Sequence, residues 1–444
     1  MGSVNINNSL FPHSFGPSQL TKALEHIAAA ATVAKKMDDQ LLLAKGLGAG
    51  VEEAAAAVLF GESSILYSAV RANKKLKPHR RATLNRCLRL PGTLNVAAPI
   101  NEPVRVFPRE KKGGVLGVIL EFGIKHRTAQ DIVARILSRH LKPRPFQYGL
   151  EGVQKAIAEV KKRLAAGHVH TARLDIKNFF GSFQLEKLAH ELPLPQEVVE
   201  YAVVGRHLEA YVDQSNGKGQ NAPMHTPHYN DLISLARQGL PPGSGCSPVI
   251  AEFIISKLAW STSTHVVIVN YCDDWLILAS TPKYLDEAIG ALTDTVSKLP
   301  GGHFELVLLD QSSAFEGFLF LGHCFHLVNG QVRTTVGPKA GFSLTARLAE
   351  LDQQFSDLVW NNKPAYKSKT KKEAEAIALL AEMSAVIGGW RGAFREADDL
   401  NRHTEGWQAL LEDNISASGF SPDQVAAAID DSMRYHPADY ALAG

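Results

Sequence analysis

Residues 266–279, VVIVNYCDDWLILA, place Asp273 and Asp274 side by side between two apolar runs. Two β-rich runs around a short polar break read as a hairpin, and in a solvated turn aspartate only bonds nearby backbone N–H groups. Two features ask for more. The break holds no Gly or Asn to take positive φ, and Tyr271 and Trp275 flank the acids where small polar residues would be expected. Adjacent carboxylates on a mostly buried hairpin repel each other and lose hydration, so they call for a cation. Mg²⁺, with Mn²⁺ as a substitute, is the expected ion, because it prefers carboxylate oxygens and leaves positions open to phosphate oxygens. A third acid lies in TARLDIKNFFGSF (171–183), where Asp175 ends an apolar strand that Arg173 interrupts. Asp175 could serve simply as a helix N-cap. Brought beside the other two at the edge of one sheet, it would complete a site for two Mg²⁺ ions roughly 3.5–4 Å apart, the arrangement used in phosphoryl transfer.

The surrounding elements must bring these acids together. Residues 18–60 are Ala- and Leu-rich and favour helix, with a break near Gly46–Gly50. GVLGVILEF, within a Pro- and Gly-broken stretch (91–122), has β character, and TAQDIVARILSRHL (128–141) and LEGVQKAIAEVKKRLAAG (150–167) have helical spacing. VHTARLDI (169–176) reads as a buried strand, VIAEFIISKLAW (249–260) as an apolar helix, and the chain is helical almost throughout from 343. A polar insertion spans about 212–230. Between Asp175 and the hairpin, GLPPGSGCSPVIAEFI (239–254) is a Gly-rich turn entering a helix, which lets backbone approach a phosphate or a base. Strands alternate with helices in the middle third, flanked by helical arms, so the fold class is α+β.

At 444 residues, 45% hydrophobic and 21% charged, the chain has the composition of a globular protein with room for two or three domains. It has no apolar stretch long enough to span a bilayer, so no membrane role is expected. MGSVNINNSLFPHSFG has neither the basic n-region nor the apolar h-region of a secretory signal. Cys87, Cys246, Cys272 and Cys324 lie far apart, which argues against a zinc site or disulfide framework and fits a reducing cytoplasm. Net charge is only +2, but Arg71 to Arg89 carries eight Lys or Arg and no acid. Such a block is either a solvated face or a grip on a phosphate backbone. Lys74, Lys75, Arg80 and Arg81 are its candidate nucleic-acid contacts.

In this order the segments resemble a reverse transcriptase of the bacterial type, related to group II intron and retron enzymes, from about Gly113 to Phe394. LDIKNFFGSF is similar to the first palm motif, which implies Asp175 as a metal ligand with the Ile176 carbonyl beside it. YCDD (271–274) is similar to the family's Tyr-x-Asp-Asp, which implies Asp273 and Asp274 as the other metal-site acids and Tyr271 beside the nucleotide. Phe180 matches the aromatic gate against a ribose 2′-hydroxyl. GLPPGSGCSP resembles the motif under template and nucleotide, including Pro242 and Gly243. EGFLFLGHCF (316–325) resembles the primer grip, with Gly322, and VIGGWRGAF (386–394) the thumb segment around Trp390.

The resemblance implies a right-hand polymerase: fingers, a palm with a ferredoxin-like antiparallel sheet, a helical thumb and a helical N-terminal extension. The expected boundaries are 1–95 for the extension, 96–168 and 190–235 for fingers, 169–189 and 236–342 for palm, and 343–444 for thumb and tail. The implied partners are RNA, as template or bound non-coding RNA, a DNA product and deoxynucleoside triphosphates. The chain departs from the family in three places. Pro242 stands where Gln is usual, LLDQSSAFEGF lacks the Lys before the primer grip, and GGVLGVI (113–119) lacks the triphosphate-binding Arg. Lys111, Lys112, Lys125 and Arg127 are the substitutes for that Arg. With no nuclease region, the chain is similar to divergent bacterial reverse transcriptases of anti-phage defence, some of which need little or no template. A template-independent nucleotidyltransferase and a catalytically weak RNA-binding palm are the alternatives.

Overall fold

Helices and sheets mix throughout the computed structural model, which describes residues 17–76, 80–110, 116–213, 229–261, 263–360, 369–421, 423–426 and 428. Four helices open the chain: α1 (Pro17–Leu47), α2 (Val51–Phe60), α3 (Glu62–Lys75) and α4 (Leu84–Leu88). Strands β1 (Val104–Glu110) and β2 (Leu116–Glu121), then α5 (Ile124–His140), α6 (Val153–Ala165) and β3 (His170–Ile176), follow. A 3₁₀ turn (Phe179–Ser182) leads to α7 (Leu185–Glu191), α8 (Gln196–Val198), β4 (Ala210–Val212), α9 (Tyr229–Arg237) and α10 (Ser247–Ile255). Next come β5 (Val266–Tyr271), β6 (Asp274–Ala279), α11 (Pro282–Ser297) and β7 (Leu306–Ser313). Strands β8 (Phe318–Phe320), β9 (His323–Val328) and β10 (Gln331–Val336) precede α12 (Pro338–Val359), α13 (Lys369–Ala393) and α14 (Leu400–Ser418).

The chain divides into two compact units. The first comprises Met1–Leu150, Ile176–Trp260 and Leu292–Val307. Its sheet has the order β2-β1-β4, with β1 antiparallel to β2 and parallel to β4. Along α1 the buried residues Ala23, Ile27, Ala30, Ala34 and Leu41 recur at helical spacing and form one apolar face. Gly48 and Gly50 take positive φ and end that helix. One contact in this unit is ionic and almost fully buried. Arg135 of α5, almost fully buried, pairs with Asp38 of α1 at 2.7 Å and donates to the Ser64 and Ser68 hydroxyls of α3 at 2.9 Å each. Every charge in that network has a partner, as burial demands.

The second unit comprises Glu151–Asp175, Ser261–Ala291 and Leu308–Gly444. Its main sheet has the order β5-β6-β3-β7, with β6 antiparallel to both of its neighbours. Helix α6 turns Val153, Ala156, Ile157, Val160 and Leu164 inward and packs on β5 and β6. A second sheet, β10-β9-β8, meets the helices α12 to α14, whose core includes Leu344, Leu348, Phe355, Leu380, Trp390 and Phe394. The β8–β9 turn is Leu321–Gly322, with φ 46° and 75°, the two positive values that suit a two-residue hairpin.

Truncating Arg135 leaves the buried Asp38 carboxylate, among the described residues, with only the more distant Arg139, at 4.0 Å. Arg135→Ala is expected to lose about 3–5 kcal/mol in denaturant unfolding. The apolar pair Asp38→Leu with Arg135→Met should recover most of that loss. A double variant no better than the single would show that packing, not charge, sets the penalty.

Candidate active site

The register of the main sheet pairs Asp175 on β3 with Asp274 on β6, and Tyr271 on β5 with the same Asp274. Cys272 and Asp273 are therefore the whole turn between β5 and β6. Cys272 takes φ 55°, a left-handed conformation that costs a residue with a Cβ about 1–3 kcal/mol unless its surroundings impose it. Asn270 supplies that support. Fully buried, it donates from Nδ2 to the Cys272 carbonyl at 2.8 Å and to the Asp274 carbonyl at 3.4 Å. Tyr271 and Trp275 are buried on either side, so the turn stands on a rigid base.

Three carboxylates share one field here. Asp175 is half-buried, and burial, then the charges of Asp273 and Asp274, push its carboxyl up to about 7 from an ordinary 3.8, while Arg173 acts the other way. Arg173 lies two residues before Asp175 on the same face of β3, and its Nη2 is 3.0 Å from Asp274 Oδ1. Among the described residues no three His, Cys, Asp or Glu side chains converge closely enough to hold a metal ion. As the side chains stand, the acids share an electrostatic environment rather than a coordination sphere, and Arg173 is Asp274's counter-charge. The donor set nevertheless fits a hard divalent cation: three carboxylates face one guanidinium, and the excess negative charge adds to burial in raising Asp175. Coordination by all three would require Asp274 to release Arg173.

Of the first unit's nucleotide-binding candidates, Phe180, Pro242, Gly243 and Arg127 meet at the 239–245 loop, and Lys125 does not. Phe180 is half-buried in its 3₁₀ turn, its ring 5.5 Å from that of Phe179, and its carbonyl accepts from Leu240 N at 2.8 Å. Gly239 sits so close that a Cβ there would lie 2.2 Å from the same carbonyl, at φ 55°. Helix α5 holds the rest of the loop with two side chains three residues apart. Arg127 donates to the Gly243 carbonyl at 2.8 Å, and Gln130 Oε1 accepts from Gly245 N at 2.9 Å. Pro242, half-buried, lies next to that anchor, and Gly243 takes φ 81°. Arg127 also lies over the Phe122 ring at 5.4 Å. Lys125 donates from Nζ to the Asn101 carbonyl at 3.3 Å. Lys111 and Lys112 lie outside the described residues, as does most of the polar insertion.

The nucleic-acid candidates divide. In the second unit, Gly322 turns under Phe394, whose ring a Cβ would meet at 3.1 Å. The Phe394 ring lies tilted against Trp390 at 4.5 Å and against His323 at 4.7 Å, so the thumb-like segment is a packing anchor for this hairpin. In the first unit the basic block meets acids from distant sequence. Lys75 is 3.8 Å from Asp131, Arg71 is 3.2 Å from the same carboxylate, and Arg80 pairs with Glu121. Arg81 donates to the Leu76 carbonyl at 3.2 Å, and Lys74 is half-exposed. Sequence reading did not find Asn270 or Gln130; an amide inside the otherwise apolar strand VVIVNY was the available signal for the first.

No protein-family model matches the sequence, and no curated protein matches it. Among solved structures the chain is similar to telomerase from Candida albicans in complex with the TWJ fragment of telomeric RNA, at 9% identity and TM-score 0.34, over 76% of this chain and 64% of that one. It is similar to apo telomerase from Candida tropicalis at 11% identity and TM-score 0.37, over 78% and 65%. It is also similar to the Sicinivirus 3Dpol RNA-dependent RNA polymerase at 11% identity and TM-score 0.31, over 75% and 69%. The chain thus spans a little under two thirds of the two telomerases, at 64% and 65%. Likenesses of this strength carry no functional argument, which must come from the chain's own residues.

The raised Asp175 pKa has a measurable sign. Unfolded, this carboxyl releases its proton near 3.8; folded, it keeps it to about 7. Between those values the folded state binds more protons, so the group's contribution to stability falls as pH rises. Asp175→Asn is therefore expected to melt higher than the parent at pH 8 in EDTA, with the gap closing below about pH 4. A gap independent of pH would remove the three-carboxylate field as its cause.

Proposed function

We propose that this chain is a reverse transcriptase, an RNA-directed DNA polymerase that extends a 3′-hydroxyl, or a protein hydroxyl, with deoxynucleoside triphosphates. One observation carries the reading: the β3–β6 register sets Asp175 opposite Asp274 while a strained two-residue turn holds Asp273 beside them. Asp175, Asp273 and Asp274, with the Ile176 carbonyl, would hold Mg²⁺ or, in its place, Mn²⁺. When bound, such ions supply acidification of the attacking hydroxyl and neutralisation of the departing pyrophosphate.

The chain's own residues do the rest. Asn270 and the buried Tyr271 and Trp275 fix the turn, so the carboxylates need little reorganisation. Arg173 compensates Asp274 until a cation arrives. Phe180 supplies an aromatic wall against a ribose 2′-hydroxyl, its backbone strapped to the 239–245 loop. That loop, held by Arg127 and Gln130, would support template and nucleotide. The bacterial, defence-associated placement belongs to the same proposal and stands on the sequence motifs alone. Among the described residues no helix is long and apolar enough to cross a membrane.

A second reading, template-independent DNA synthesis on the same site, is favoured by Pro242, which has neither an amide side chain nor a backbone N–H to offer the nucleotide. Incubation with Mg²⁺ and the four deoxynucleotides, followed by sequencing of product and copurifying RNA, separates the two. Product complementary to the RNA supports templated synthesis; simple or unmatched product supports the second reading. The Asp273→Ala, Asp274→Ala double variant should reduce incorporation to background, and full retained activity would sink both. Phe180→Val should admit ribonucleotides about 10–100-fold more readily, the range expected when one shape contact is lost.

A further inference from the structure

The basic block leaves one part of its charge unspent. Arg71, Lys75 and Arg80 meet carboxylates, but the block's last two arginines, Arg86 and Arg89, line a cavity of about 370 Å³ together with Lys125 of α5. Asn85, Thr83 and Thr93 complete the polar part of its wall, and no acid lines it. Arg86 is held at 2.5 Å by Glu102, a buried carboxylate that also accepts the Lys125 and His126 N–H groups at 2.8 and 3.2 Å. Glu102 therefore fixes the wall and neutralises Arg86. Arg89 and Lys125 have no carboxylate partner among the described residues; Lys125 reaches only the Asn101 carbonyl. The Thr93 hydroxyl already donates to the Arg89 carbonyl at 3.1 Å, but two uncompensated cations, the Asn85 amide and the Thr83 hydroxyl on one wall call for an anion with several acceptor oxygens.

We infer that this cavity binds the sugar–phosphate backbone of a nucleic-acid strand, with Arg89 and Lys125 as its phosphate contacts. The inference rests on the polymerase reading above and adds where the strand is gripped. Charge favours a strand over a free nucleoside triphosphate. Two free cations balance two successive phosphodiesters, whereas a triphosphate brings about four charges and normally a divalent ion, for which the wall offers no carboxylate. Contacts from Arg89 and Lys125 to phosphate oxygens carry no base code, so recognition here is independent of sequence.

The test uses the full chain and a single-stranded RNA of mixed sequence, titrated at several salt concentrations. Arg89→Gln is expected to weaken binding about tenfold at moderate salt and to reduce the slope of log affinity on log salt by about one. The nucleotide KM should not move. Lys155→Gln, which removes an exposed lysine paired with Glu151 at 3.1 Å, serves as the control and should change neither quantity. Parental affinity and slope in both Arg89→Gln and Arg89→Glu would overturn the inference. An unchanged RNA affinity with a raised nucleotide KM would also overturn it, by giving the cavity to the triphosphate. An equal loss in Lys155→Gln would overturn it in favour of a general surface field. If the parent itself binds no RNA, thermal stabilisation by inorganic phosphate, present in the parent and lost in Arg89→Gln, would keep the cavity as an anion site while sinking the polymerase reading. Absence of that stabilisation would sink both.

Discussion

Three like charges held within one field set the terms for the second unit. Burial of the carboxylate at the end of β3, and then repulsion from those of the β5–β6 turn, push Asp175 up to about 7. The backbone could relieve this by loosening the turn, but the surroundings forbid it. Asn270 bonds the Cys272 carbonyl from inside, Tyr271 and Trp275 are packed, and Cys272 is kept at positive φ. What remains free to adjust is side-chain charge pairing, and Arg173 does that at 3.0 Å from Asp274. The site is thus rigid in its backbone and exchangeable in its countercharge, the combination that a cation-dependent reaction on phosphates would use.

The first unit follows a different rule. Its loop at 239–245 is packed through the buried Leu240 and Ser244 and also tied, through the Phe180 carbonyl, the Gly243 carbonyl and the Gly245 N–H. Gly239 can make that approach because any Cβ would collide with the Phe180 carbonyl. Polar ties of this kind fix the shape of the loop's exposed positions, Gly243 and Gly245.

Much of this arrangement could be read from the sequence because local pattern decided it. The apolar runs around Asp273 and Asp274 pair as expected, the strand ending in Asp175 spans His170–Ile176, and α1 breaks at Gly48–Gly50. Boundaries shifted where turn chemistry competed. The helix expected over 249–260 is Ser247–Ile255, started by Pro248 at its first turn and ended before the Lys257–Trp260 stretch, and α12 begins at Pro338 rather than 343. The left-handed Cys272 was not legible, since nothing local asks a cysteine for positive φ. Nor was the pairing of the basic block. The block contains no acid, yet Asp131 and Glu121 reach it from elements forty or more residues away, and only the tertiary fold separates its compensated cations from the free Arg89.

The buried Arg135–Asp38 pair also bears on how the chain is made. The two residues are 97 positions apart, so Asp38 emerges from a ribosome long before its counter-ion. At ordinary synthesis rates that interval is roughly 5–20 s. Through it α1 carries an exposed apolar stripe, from Ala23 to Leu41, with an unpaired acid in its midst. That acid keeps the waiting helix wet, because a carboxylate resists burial until its arginine arrives. The same charge that costs desolvation in the finished fold thereby protects the nascent one from premature association.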